Sequence, residues 1–138
     1  MRVVRAAVQT DRVIEFTPRL GWTELPDGVR LAIGAAVAES CGAPVRAATP
    51  VTGGFSPGCA VALELDDGRR VFVKATSSEL NPDSPRLYAR ERTIARHLPR
   101  AVPAPRLLAN VEHDGWIALV HEFVPGHLAR TPWVAEEW

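Results

Sequence analysis

With 138 residues, the chain is long enough for one domain with a hydrophobic core and too short for two full ones. Hydrophobic residues make up 46% and charged residues 23%, an ordinary globular balance, and sixteen acidic side chains cancel sixteen basic ones. No net field attracts nucleic acid or an anionic membrane, and no basic run interleaved with aromatics occurs, which argues against both kinds of partner.

The first ten residues lack the apolar core of a signal peptide, and no apolar run approaches the roughly 20 residues of a membrane span. The chain therefore reads as cytoplasmic. Up to about residue 25, Val13, Phe16 and Trp22 offer apolar surface, but Pro18, Gly21 and Pro26 interrupt any regular element. Pro26-Asp27 then signals a helix carrying Val29, Ile33, Ala36 and Val37, which Gly42-Ala43-Pro44 stops. Strands are expected over 45–51, 59–65 and 69–75, with a glycine-rich turn over 52–58 and a hairpin turn at Asp66-Asp67-Gly68. Ser84-Pro85 reads as the N-cap and first-turn proline of a second helix reaching about Leu98. The connector Val102-Pro103-Ala104-Pro105 leads to a last hairpin, with strands over 106–112 and 116–123 around His113-Asp114-Gly115. Helix, three strands, helix and two strands joined by tight turns imply an α+β fold. Its five-stranded antiparallel sheet carries one packed helix and an extra N-terminal helix.

Leu87, Glu91, Ile94 and Leu98 fall in one helical stripe, so the aliphatic members are expected to face the sheet. Glu91 then lies in an apolar face and needs a cation, unless helix rotation carries it to solvent beside Arg90 or Arg92. Lys74, expected at the end of the apolar strand Val71-Phe72-Val73, is the natural partner; alone it reads as a solvated strand-end lysine. Glycines in the 52–58 turn permit close backbone approach, and their free amides can cradle phosphate oxygens. Ser56 adds a hydroxyl donor. No Gly-Lys-Ser/Thr follows, so this is not a Walker A loop. Cys41 and Cys59 lack the spacing of a zinc site. His97, His113, His121 and His127 are scattered and read as surface or hinge residues, and Ser56 has no partners for a hydrolase triad. Trp116, Trp133 and Trp138 read as core or lobe-interface aromatics.

Together these features resemble the aminoglycoside phosphotransferase and choline-kinase-like family, which has the protein-kinase-like fold. Thr52-Gly53-Gly54-Phe55-Ser56-Pro57-Gly58 is similar to its nucleotide loop, and Val71-Phe72-Val73-Lys74 to the kinase lysine strand. Arg90-Glu91 stands at the helix glutamate, Val102–Leu108 at the Pro-x-Pro connector, and Leu119–Gly126 at the hinge. The resemblance implies nucleotide binding, of ATP or GTP, by Gly53, Gly54, Phe55, Ser56, Gly58, Lys74, Glu91, His121 and Phe123. Lys74 would hold the α- and β-phosphates, Glu91 would orient it, and His121 C=O with Phe123 N–H would read the purine edge.

On that resemblance, residues 1–42 form an N-terminal extension and helix, 43–126 the nucleotide-binding N-lobe, and 127–138 the start of a linker to a catalytic lobe. The family's catalytic Asp and magnesium ligands follow the hinge. Beyond Gly126 these 138 residues contain no Asp and no Asn, and Glu136-Glu137 reads as an exposed turn. The expectation is a truncated phosphotransferase lobe, inactive alone, with weak nucleotide binding and Mg2+ only in an intact parent. Its partners would be nucleotide and a separate C-lobe polypeptide, or further copies through a patch of Phe123, Val124, Trp133, Val134 and Trp138. The alternatives are a non-catalytic interaction module with the same fold, or half of a split enzyme.

Overall fold

The structure, a computed structural model, describes residues 19–52 and 57–127. A short 3-10 turn over Trp22–Glu24, not expected from the sequence, leads into helix α1, Asp27–Cys41. Val29, Ile33 and Val37 lie at four-residue intervals on its buried face. Gly42 ends it in the left-handed conformation, φ +74°, donating its amide to Ala38 C=O.

The strands are β1, Val45–Pro50; β2, Cys59–Leu65; β3, Arg70–Ser77; β4, Leu107–His113; and β5, Trp116–Glu122. Helix α2, Ser84–His97, lies between β3 and β4. The strands form one antiparallel sheet in the order β1-β2-β3-β5-β4, so the α+β fold and five-stranded sheet stand as expected. The β4–β5 turn places Asp114 and Gly115 at φ +46° and +77°, the paired positive values of a tight hairpin turn.

Alternation along the strands divides the sheet into two faces. Val61, Leu63, Val73, Ala118 and Val120 join the buried face of α1 in the main core. Ile117 and Leu119, one residue out of step, pack instead with Tyr88 of α2 in a smaller cluster. The N-terminal helix is thus built into the larger core.

Three local expectations need correction. First, Leu87, Ile94 and Leu98 do not pack against the sheet; they are 57%, 51% and 40% exposed, and Ile94 and Leu98 stand across an open cleft from it. Tyr88 and Ser84 are the buried residues of α2, because the Tyr88 ring fills the space over Ile117 and Leu119. Second, Ser84 is not the cap but the first helical residue; Asn81 Oδ1 accepts the amides of Asp83 and Ser84. Third, β3 continues to Ser77, since Ala75, Thr76 and Ser77 pair with Ala118, Ile117 and Trp116. Lys74 is therefore in the interior of the middle strand, not at a strand end.

Candidate functional site

Register brings the functional face together. Ala60, Lys74 and Leu119 lie in one row across β2, β3 and β5, and Ala62, Phe72 and His121 in the next. Beneath these rows opens a cleft of about 730 Å³, with Ala62 and Phe72 on the sheet side and Ile94 and Leu98 on the α2 side. Phe123 and Val124, after β5, line its far edge. A mostly apolar concave site with a few converging polar groups is the usual form of a small-molecule pocket.

The polar groups converge on Glu91. Lys74 Nζ donates to Glu91 Oε2 at 2.5 Å across the β3–α2 junction, so the two residues expected to pair do so. Lys74 Nζ also lies 4.7 Å from the centroid of the Tyr88 ring, within cation–π range. The other carboxylate oxygen, Glu91 Oε1, is 3.4 Å from His121 Nε2, at the outer limit of a hydrogen bond. The Glu91 carboxyl is held below the ordinary glutamate range, first by the His121 imidazole and then by Lys74, against burial that pushes it up. Burial and the nearby Glu91 charge push the Tyr88 phenol up to about 12. This corner of the cleft thus favours an ionised Glu91 beside largely apolar walls.

Gly53, Gly54, Phe55 and Ser56 lie outside the described residues, but both flanks of their turn are held. Val51 N–H donates to Ala60 C=O, and Arg19 Nη1 to Val51 C=O at 3.3 Å. On the other flank Leu20 N–H donates to Gly58 C=O at 3.0 Å, and Thr76 Oγ1 to Pro57 C=O. Gly58 has φ +136°, and a Cβ there would come within 2.3 Å of Ala75 C=O, so only glycine fits.

At the hinge, Arg70 Cζ lies 4.1 Å from the Phe123 ring centroid, and Glu122 Oε2 and N–H bond the main chain of Arg106. His121 is not a surface histidine: it is 8% exposed, its main chain lies within the ladders to β3 and β4, and it turns its imidazole to the cleft. The sequence placed His121 at the hinge for its main-chain carbonyl; that its imidazole turns to the cleft was not anticipated. The available signal was strand alternation, which puts His121 on the face of Ile117 and Leu119.

Among the described residues no group of three His, Cys, Asp or Glu side chains could hold a metal ion. The cleft carboxylates are engaged elsewhere: Glu64 with Arg46, Glu91 with Lys74, and Glu122 with Arg106. The described residues thus do not fit a magnesium site. No helix among them is long and apolar enough to cross a membrane.

Comparison with protein families matches a phosphotransferase enzyme family over residues 47–137, about two-thirds of the chain. No curated protein matches the chain.

Proposed function

Because this chain belongs to that phosphotransferase enzyme family, we propose that its kinase-like N-lobe binds a purine nucleoside triphosphate in the cleft and serves transfer of the γ-phosphate to a hydroxyl acceptor. The observation that carries this reading is the Lys74–Glu91 pair set into an apolar cleft. A partly exposed ion pair contributes little to folding, so a role in holding charge at the cleft explains it better than a role in stability. Lys74 offers its ammonium to the α- and β-phosphates, and Glu91 keeps it aimed. The sequence between β1 and β2, Gly53-Gly54-Phe55-Ser56, is of the kind whose free amides can hold phosphate oxygens. The purine lies against Ala62 and Phe72, with its edge read by the hinge main chain at Phe123, just past the last ladder pair of β5.

A fluorescent ATP analogue titrated into the chain tests this, with unlabelled ATP and GTP as competitors to identify the purine. Saturable binding is expected. Lys74→Met should weaken it about tenfold or more, the equivalent of about 1.4 kcal/mol. No saturable signal, or equal binding by the variant, would refute the proposal.

A further inference from the structure

His121 has a buried ring nitrogen that the nucleotide reading leaves without a task. Its side chain is 10% exposed, Nε2 is buried with no hydrogen-bond partner inside normal geometry, and the nearest acceptor is Glu91 Oε1 at 3.4 Å. A buried donor is costly to leave unmade, and here closing the gap needs a shift of only a few tenths of an ångström. The other charged groups lining the cleft with the ring are Lys74 and Arg70 on β3, Glu64 on β2 and Glu122 on β5. Glu64 is paired with Arg46 and Glu122 with the Arg106 main chain, which leaves Glu91 as the carboxylate set against the ring. Lys74 takes the opposite oxygen, Oε2. The carboxylate is therefore addressed from two strands at once, by β3 through Lys74 and by β5 through His121.

We propose that His121 is a positioning residue: from the hinge strand it holds Glu91 Oε1, so that Oε2 stays aimed at Lys74. The proposal rests on the cleft's being a nucleotide site. Its consequence is specific, because the Lys74 ammonium has three N–H donors and can keep one on Glu91 Oε2 while the others meet phosphate oxygens. A second tether on Oε1 then fixes the carboxylate from which Lys74 is aimed. The same tether links the strand leading into the hinge with the group that meets the phosphates.

Two measurements test this. In the 15N-labelled chain without nucleotide, long-range proton–nitrogen spectra report which His121 ring nitrogen carries a proton, the signal being assigned by its loss in His121→Gln. A protonated Nε2 whose shift moves in Glu91→Gln is expected; a bare Nε2, or a signal indifferent to Glu91→Gln, would overturn the proposal. Second, binding of the fluorescent ATP analogue is compared across variants whose circular dichroism matches the parent. His121→Leu removes the donor and should weaken binding about tenfold, while His121→Gln keeps an N–H near the same place and should stay within about threefold. In a Glu91→Gln background, His121→Leu should cause no further loss, since residues acting through one another are non-additive. Equal losses for Leu and Gln, or full additivity with Glu91→Gln, would overturn it. If the parent chain binds no nucleotide, the proposed function fails, and the ring spectra still decide whether His121 holds Glu91.

Discussion

Glu91 stays ionised in a partly buried site because two donors outweigh its desolvation, and that balance has a pH signature. A carboxyl with a lowered folded-state pKa adds stability that is fully present above its unfolded value, about 4.3. That contribution disappears as pH falls through the folded value. The chain should lose stability on the acid side, and Glu91→Gln should remove this part of the slope. With the Glu91 side chain 39% exposed, the effect should be about 1 kcal/mol or less. Urea melts between pH 3 and 7 measure it; an unchanged acid slope in the variant would count against the ion pair. Cys59 gives a second residue-level expectation. Burial, and then the Glu24 charge, push its thiol up to about 11, whereas Cys41 is half-exposed. Iodoacetamide at pH 8 should label Cys41 and reach Cys59 only on unfolding; mass spectrometry of the digested chain would show an early Cys59 adduct if this is wrong. The Lys74–Glu91 pair was legible in the sequence because Lys74 breaks an apolar strand and Glu91 falls in the aliphatic stripe of α2. His121 was not, because a histidine inside a strand announces its face only once the strand's register is known.

At the scale of elements, hydrophobic periodicity located both helices and all five strands but did not set the rotation of α2. Leu87, Ile94 and Leu98 form as good a helical stripe as the face that packs, and one-dimensional spacing cannot choose between two stripes. The choice is made by Tyr88, whose ring closes over Ile117 and Leu119. In α1 a single apolar stripe leaves no such ambiguity. The two helices should respond differently to truncation. Ile33 is fully buried, and Ile33→Ala should cost about 2–5 kcal/mol. Ile94 is 51% exposed at the cleft, and Ile94→Ala should cost under about 1 kcal/mol. Chemical denaturation of both variants compares them directly; similar losses would mean that α2 packs its aliphatic stripe after all.

For the molecule as a whole, the sheet with its two helices was readable because tight turns dictate antiparallel neighbours. The depth of the cleft was not readable, since it depends on how α2 rotates away from β3. Ile94, Leu98 and Val124 stand exposed around its mouth; Trp133, Val134 and Trp138, expected to extend that patch, lie outside the described residues. Apolar side chains gathered at a cleft mouth favour association, so sedimentation should show mass rising with concentration. A strictly monomeric profile at every concentration would contradict this.

Arg19 and Leu20 give the molecule an unusual boundary. Their bonds to Val51 and Gly58 hold both flanks of the glycine-rich turn, yet they lie well upstream of residue 47, where the family match begins. The same is true of Val29, Ile33 and Val37, which fill the core against the sheet. The stretch that is recognisably inherited and the stretch that must fold together are therefore different units. A gene fragment cut at the edge of the shared family segment would encode the cleft's walls without the clasp and the keel that hold them in place.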